Sequence, residues 1–259
     1  MCYDIPNKIL KEGVKMIQSV GRAVEILHCF EEQELLGVTE IASRTKLNKS
    51  TAFGLVTTLT ETGLLEQDPT TGRYRLGLEL FRLGSRVNAD TRRMVMPTLD
   101  ALAEQLEETV NFVRPDGGDV VYMIKKESTH SMRICTRTGQ RLPMYCSAVG
   151  KVILARLPDV EREEIIRGFH FQAFTENTIV TEADLRQELL RVRWNGYAVD
   201  REELEYGLIC VAVPIMDGAK RPVAAISCSG PKVRMTEEKI AQCRNALQDQ
   251  ADRLSGLLY

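Results

Sequence analysis

Two groups of small polar residues in this 259-residue sequence stand where their types and spacing suit chemistry. Toward the C-terminus, Ser227 and Ser229 are two apart in an apolar run that reads as a strand, so they share one face while Cys228 points the other way. Cys210 falls in the strand expected beside them, and Asp200 ends a segment just before Glu202-Glu203-Leu204-Glu205. Ser147, Ala148 and Val149 open a helix whose first N–H groups have no partner inside it and form a natural anion site. Together these groups suit one carboxylate and one or two hydroxyls of a small acid; the plainer alternative is that Ser227 and Cys210 are small core residues. Toward the N-terminus, Lys49, Ser50, Thr51, Phe53 and Thr57 occupy the outer face of a helix whose inner stripe is Ala52, Leu55, Val56 and Leu59. Near a helix N-terminus, N–H groups and hydroxyls meet phosphate, and short side chains reach base edges. Arg73 beside a turn and Arg22 early in the first helix are further candidates for phosphate.

These residues need elements to hold them. Val20, Ala23, Val24, Leu27 and Phe30 recur at helical spacing. Thr39 is the expected cap of a short second helix reaching Arg44, and Asn48 that of the third, which ends at Gly63. Leu64–Gln67 and Arg73–Leu76 flank Asp68-Pro69-Thr70-Thr71-Gly72 as a hairpin. Helix, turn, helix and hairpin in that order make a winged helix-turn-helix; a small helical packing domain of other use is the alternative. Leu78–Val87 reads as a further helix, Asn88–Arg93 as a polar junction, and Pro97 as the first turn of the next helix. Beyond it, strands are expected at Val120–Ile124, Met132–Thr136, Ile209–Ile215 and Val223–Ser229, the last two joined through Asp217-Gly218. Helices are expected at Ser147–Leu157, Glu182–Trp194 and Thr236–Leu258. The class is α+β with much antiparallel pairing.

Composition narrows the function. Lys and Arg number 34 against 36 Asp and Glu, so any nucleic-acid contact must come from a local patch. Arg44, Lys46 and Lys49 form one, with no acid between Ser43 and Thr60; Arg73 and Arg75 form another. No apolar run approaches the ~18 residues of a membrane span, and the first residues lack a signal-peptide core. The 7 cysteines are scattered and never spaced C-x-x-C, which points to a reducing cytoplasm and against disulfides or zinc. The 3 histidines lie far apart, so no metal is expected. Gly150-Lys151 lacks the glycine and the hydroxyl residue of a phosphate loop. Cys146, next to a helix start, is the best enzyme-like alternative, as a nucleophile or redox sensor. No histidine with a nearby acid stands out to serve it, so no catalytic residue and no cofactor are expected.

The sequence resembles the IclR family of bacterial transcription regulators over nearly its whole length. The resemblance rests on S-V-G-R-A-V-E-I-L (Ser19–Leu27), V-T-E-I-A (Val38–Ala42), L-N-K-S-T (Leu47–Thr51) and G-L-L-E with G-R-Y-R-L-G (Gly63–Gly77). It continues with L-P-M-Y-C-S-A-V-G-K-V-I-L-A (Leu142–Ala155), the run from Asp200 to Ile215, and A-A-I-S-C-S-G-P (Ala224–Pro231). It implies a winged helix-turn-helix over 14–77, a linker helix over 78–91, and an effector-binding domain similar to the GAF fold over 92–259. It also implies homodimers that commonly become tetramers, an inverted-repeat DNA operator, repression, and a small organic acid as effector. Carried over by position, the effector residues are Ile134, Leu142, Ala148, Val149, Asp200, Leu208, Cys210, Ser227 and Ser229. The chain departs from the family at Gly54, where members usually carry a basic residue. Charge then suggests a hydroxylated monocarboxylate such as a sugar acid. N–H groups of Ala148 and Val149 and the two serines would hold its carboxylate, and Asp200 would accept from its hydroxyl; an inward Arg133 would change this balance. The runner-up is a sensing domain whose helix-turn-helix binds protein.

Overall fold

The computed structural model describes residues 17–87, 89–134 and 136–258. The chain forms two compact units that part between Ala89 and Asp90. The first contains α1 (Gln18–His28), α2 (Val38–Arg44) and α3 (Lys49–Glu61), then a hairpin of β1 (Leu65–Gln67) and β2 (Tyr74–Leu76), and α4 (Leu78–Gly84). Ile26, Leu36, Ile41, Val56, Leu59 and Leu65 pack into its core.

The caps differ in one place from expectation. Thr39 lies inside α2; Gly37 precedes the helix, and the Glu40 carboxylate reaches back to accept its N–H at 2.8 Å. Glu40 thus serves an amide that a Thr39 cap would have left open. Asn48 caps α3 as expected, its Oδ1 accepting from the Thr51 N–H at 2.8 Å and the Ser50 hydroxyl at 2.9 Å. Past α3 the backbone turns at Gly63, whose φ of 73° is left-handed. Gly77 returns against it so closely that a Cβ there would stand 2.1 Å from the Gly63 carbonyl oxygen. Leu36 joins Tyr74 by two backbone hydrogen bonds, widening the hairpin toward a third strand. α4 is shorter than the expected Leu78–Val87, and none of its residues is buried.

The second unit opens with α5 (Ala89–Leu106). Pro97 is inside this helix, not in its first turn: the polar stretch before it is itself helical, with Asp90 favourably placed against the N-terminal dipole. The sheet is antiparallel throughout, in the order β5-β4-β3-β8-β7-β6. Its strands are β3 (Thr109–Asp116), β4 (Asp119–Lys126), β5 (Arg141–Pro143), β6 (Ala198–Arg201), β7 (Leu208–Met216) and β8 (Pro222–Pro231). The strand expected at Met132–Thr136 does not form over its described residues, which run as loop and bend. Side chains hold this stretch instead. The Thr109 hydroxyl donates to the Ile134 carbonyl at 3.1 Å, and the Thr136 hydroxyl to Asn111 Oδ1 at 2.7 Å.

One face of the sheet packs on α5 and α9 (Glu237–Leu258), through Phe112, Ile124, Val211, Val213 and Ile226. The other carries a 3-10 turn at Met144–Cys146 followed by α6 (Ala148–Leu154), α7 (Asp159–Arg167) and α8 (Glu182–Asn195). The β3–β4 register skips Met123, pairing Phe112 with Ile124 and Val113 with Tyr122, and this bulge lets Ile124 and Tyr122, two residues apart, face opposite cores. Gly150 lets α6 lie directly on the 3-10 turn, where a Cβ would come within 2.2 Å of Met144 Cα.

Candidate functional site

Antiparallel partners lie opposite one another on the same face, and this rule assembles the polar floor of the second unit. Asp200 pairs with Cys210, Cys210 with Ser229, and Ser229 with Thr109, a single rung across four strands. Two residues along, Ser227 faces Asn111. The Ser229 hydroxyl donates to Cys210 Sγ at 3.1 Å and Asn111 Nδ2 to the Ser227 hydroxyl at 3.4 Å. Above the rung is a small cavity of about 60 Å³. Of the expected effector residues, Ile134, Leu142, Ala148, Asp200, Leu208, Cys210 and Ser229 line it. Val149 and Ser227 are buried outside the lining. Val149 points into the core beneath α6, and Ser227 sits behind the wall in the Asn111–Thr136 network.

The lining also includes Tyr122, Thr136, Gln140, Ser147, Leu204 and Glu205. Tyr122 alternates inward along an expected strand, but nothing in local spacing marks Gln140 or the 202–207 loop, which long-range contacts bring in. The Thr175 and Thr178 hydroxyls donate to the Glu202 and Glu203 carbonyls at 2.5 Å and 2.6 Å. From α6, the buried Lys151 ammonium binds Glu203 and, at 3.0 Å, the Val199 carbonyl. Arg133 is exposed and pairs with Glu127 at 3.0 Å, outside the cavity.

Burial governs the acid–base character of the site. The Asp200 carboxyl is pushed up to about 7 by loss of water, then by the neighbouring Glu203 charge, although the Glu203 N–H donates to it at 2.7 Å. It is therefore not the fixed anion that its residue type suggested. Burial likewise raises the Cys210 thiol to about 12. Cys146 is wholly buried, and desolvation together with the Asp200 and Glu203 charges raises its thiol well above the ordinary value. This is the reverse of an activated thiol and removes the basis of the redox-sensor alternative.

In the first unit, Lys49, Ser50, Phe53 and Thr57 are exposed on α3 and Thr51 is half-buried. The Thr57 hydroxyl donates back to the Phe53 carbonyl at 2.9 Å, and Ser50 is engaged at the Asn48 cap. Arg22 is half-buried in α1. Arg73 is already committed: its guanidinium donates to Glu40 at 2.5 Å and to the Leu35 carbonyl at 3.1 Å, tying the hairpin to α2. No acidic side chain occurs on α3 before Glu61.

A recognition helix with an open polar face, a wing behind it, and a separate sheet-built unit with an internal polar cavity define a DNA-binding regulator with a sensing domain. Residues 19–69 match the IclR helix-turn-helix domain and residues 85–256 the bacterial transcriptional regulator IclR C-terminal domain. The HTH-type transcriptional regulator XynR of Escherichia coli (strain K12) is 36% identical over 246 residues, covering 94% of this chain and 98% of that protein. The transcriptional repressor IclR of the same strain is 32% identical over 231 residues, covering 87% and 84%. The crystal structure of the Thermotoga maritima IclR superposes with a TM-score of 0.74 at 33% identity, covering 94% of this chain and 99% of that one. The chain belongs to the IclR family of bacterial transcriptional regulators.

Proposed function

We propose that this regulator is a cytoplasmic repressor whose operator affinity is set by a small hydroxylated organic acid bound in the cavity of the second unit. The observation that carries the reading is the Asp200–Cys210–Ser229 rung, which lays a carboxyl, a thiol and a hydroxyl side by side on one cavity wall. A core needs no such row, and a ligand with several oxygens can use all of it. In this reading 14–77 binds DNA, 78–91 links, and 92–259 senses. Repression is supported by the names of several relatives, the transcriptional repressor IclR among them, and no reaction is assigned to the chain.

For DNA, Lys49 supplies a phosphate contact, Ser50, Thr51, Phe53 and Thr57 face the groove, and Arg22 is a backbone contact. Arg73 acts mainly by fixing the wing. The exposed cation on an acid-free face favours DNA over a protein partner. The functional unit is a homodimer on an inverted repeat, with tetramers formed from it. Leu78 and Phe81 on α4 are 80% and 76% exposed, and Val20 and Val24 on α1 are also open, which is apolar surface suited to a second copy.

A thermal-shift screen of small acids tests the sensing assignment, because a ligand that binds only the folded state raises the melting temperature. Hydroxy monocarboxylates should stabilise the protein and change its affinity for operator fragments. No stabilisation by any acid would overturn the reading.

A further inference from the structure

The cavity that the proposed function fills with an organic acid is lined by two carboxyl side chains, Asp200 and Glu205, and, among the described residues, by no basic one. Asp200 is 2% exposed. An anion placed beside an ionised, buried carboxylate would meet repulsion in a medium that screens it poorly. The positive charges nearest in sequence and fold are already paired. The Lys151 ammonium binds Glu203 and the Val199 carbonyl, has Glu188 at 3.8 Å and does not line the cavity, and Arg133 is outside, on Glu127.

We propose that the cavity takes its carboxylate ligand together with one proton from solvent, held on the Asp200 carboxyl, which then donates a hydrogen bond to the ligand. The inference rests on the organic-acid reading above. The balance is simple: ionised Asp200, one solvent proton and the ligand carboxylate give a complex with a single negative charge shared between two carboxyl groups. A hydrogen bond between an acid and a carboxylate is short and charge-assisted, and it rewards an anion over a neutral polyol of the same shape.

The groups facing Asp200 set the balance from every side. Glu203, next in the loop, repels a charge on it, and Lys151 from α6 partly offsets this. Cys146 in the 3-10 turn, Cys210 on β7 and Tyr122 on β4 all have thiols or phenols raised by burial, so they stay neutral. Glu188 on α8 faces Lys151 and Glu203 rather than the cavity. Asp200, raised to about 7, is therefore the group placed to gain the proton near neutrality.

The test uses the full-length protein in calorimetry with glycolate, glycerate and gluconate, and with glycerol and sorbitol as neutral counterparts. Each titration is run in two buffers of different ionisation enthalpy. The acid that binds should take up close to one proton at pH 8 and little at pH 6, with affinity falling nearly tenfold per pH unit above about 7. Asp200→Asn should abolish the uptake, flatten the pH profile and bind the acid more tightly than wild type at pH 8. The wild-type proton count stands whether or not the variant folds. Binding of an acid without uptake at pH 8, or uptake that survives Asp200→Asn, overturns the proposal and leaves the organic-acid reading intact. If none of the acids binds, or only the polyols do, that reading falls and the proposal with it.

Discussion

Asp200 is a residue whose burial should be visible in stability as well as in ligand binding. The folded chain keeps its carboxyl protonated up to about 7, whereas the ordinary value in an unfolded chain is 3.8. Folding therefore binds a proton at Asp200 between those values, and the contribution of Asp200 to stability should fall as pH rises from about 4 to about 7, then level off. Asp200→Asn should remove up to about 4 kcal/mol of that decline, seen as a gain over wild type that is larger at pH 8 than at pH 5 in urea unfolding. Lys49 and Arg73 make a second contrast. Lys49→Ala should weaken operator binding roughly tenfold with an unchanged melting temperature. Arg73→Ala should lower both together, because Arg73 ties the wing to Glu40 and Leu35. Gel-shift titrations paired with thermal melts separate the two. The residue types at these positions were legible in the sequence, but their states were not. The buried carboxyl and the buried thiol owe their character first to loss of water and then to the Glu203 and Asp200 charges, and the committed guanidinium to Glu40, surroundings that only the fold supplies.

At the scale of elements, the first unit was close to readable because its signals are local. Asn48 caps α3, the Ala52–Val56–Leu59 stripe is buried, and the turn at Asp68 holds its own amides, with Asp68 Oδ1 accepting from Thr71 at 2.7 Å. The second unit was readable where strands alternate or helices are amphipathic, as in β7, β8 and α9. It was opaque at β3, whose first five residues are all buried because both sheet faces are covered, and at the short β5 and β6, which pairing creates. The strand expected at 132–136 failed for another reason: carbonyls of its described residues meet side chains and not a neighbouring strand, Met132 accepting from Arg234, Ile134 from Thr109 and Thr136 from Lys125. Gly54 is an element-scale anomaly, a helix-interior glycine whose added Cβ would meet nothing within 4 Å. Gly54→Ala should therefore stabilise the first unit by about 1 kcal/mol. Gly54→Lys should in addition steepen the dependence of operator affinity on salt by close to one ion. Melting curves and salt titrations of the two variants give the answer.

For the whole molecule, the consequence of the unburied α4 is assembly. A chain with Leu78, Phe81 and Val87 all more than two-thirds exposed is expected to sediment as a dimer or larger at micromolar concentration. Phe81→Glu should shift it toward the 29.2 kDa monomer and lose cooperative operator binding, since one winged helix covers one half-site. The loop over the cavity has a different kind of consequence. It is pinned by Thr175 and Thr178, by Lys151 from α6, and by Lys232 at 2.5 Å from Glu202, so three separate stretches of chain converge on six residues. Such a knot does not open strand by strand. Its amides should exchange with deuterium at one common rate with those of 175–178, as a single cooperative block. A bound effector should slow that one rate without dividing it. On that account the regulator hears its ligand through the lifetime of a small unfolding event, so a slow-dissociating effector and a merely abundant one would leave different kinetic records on the operator.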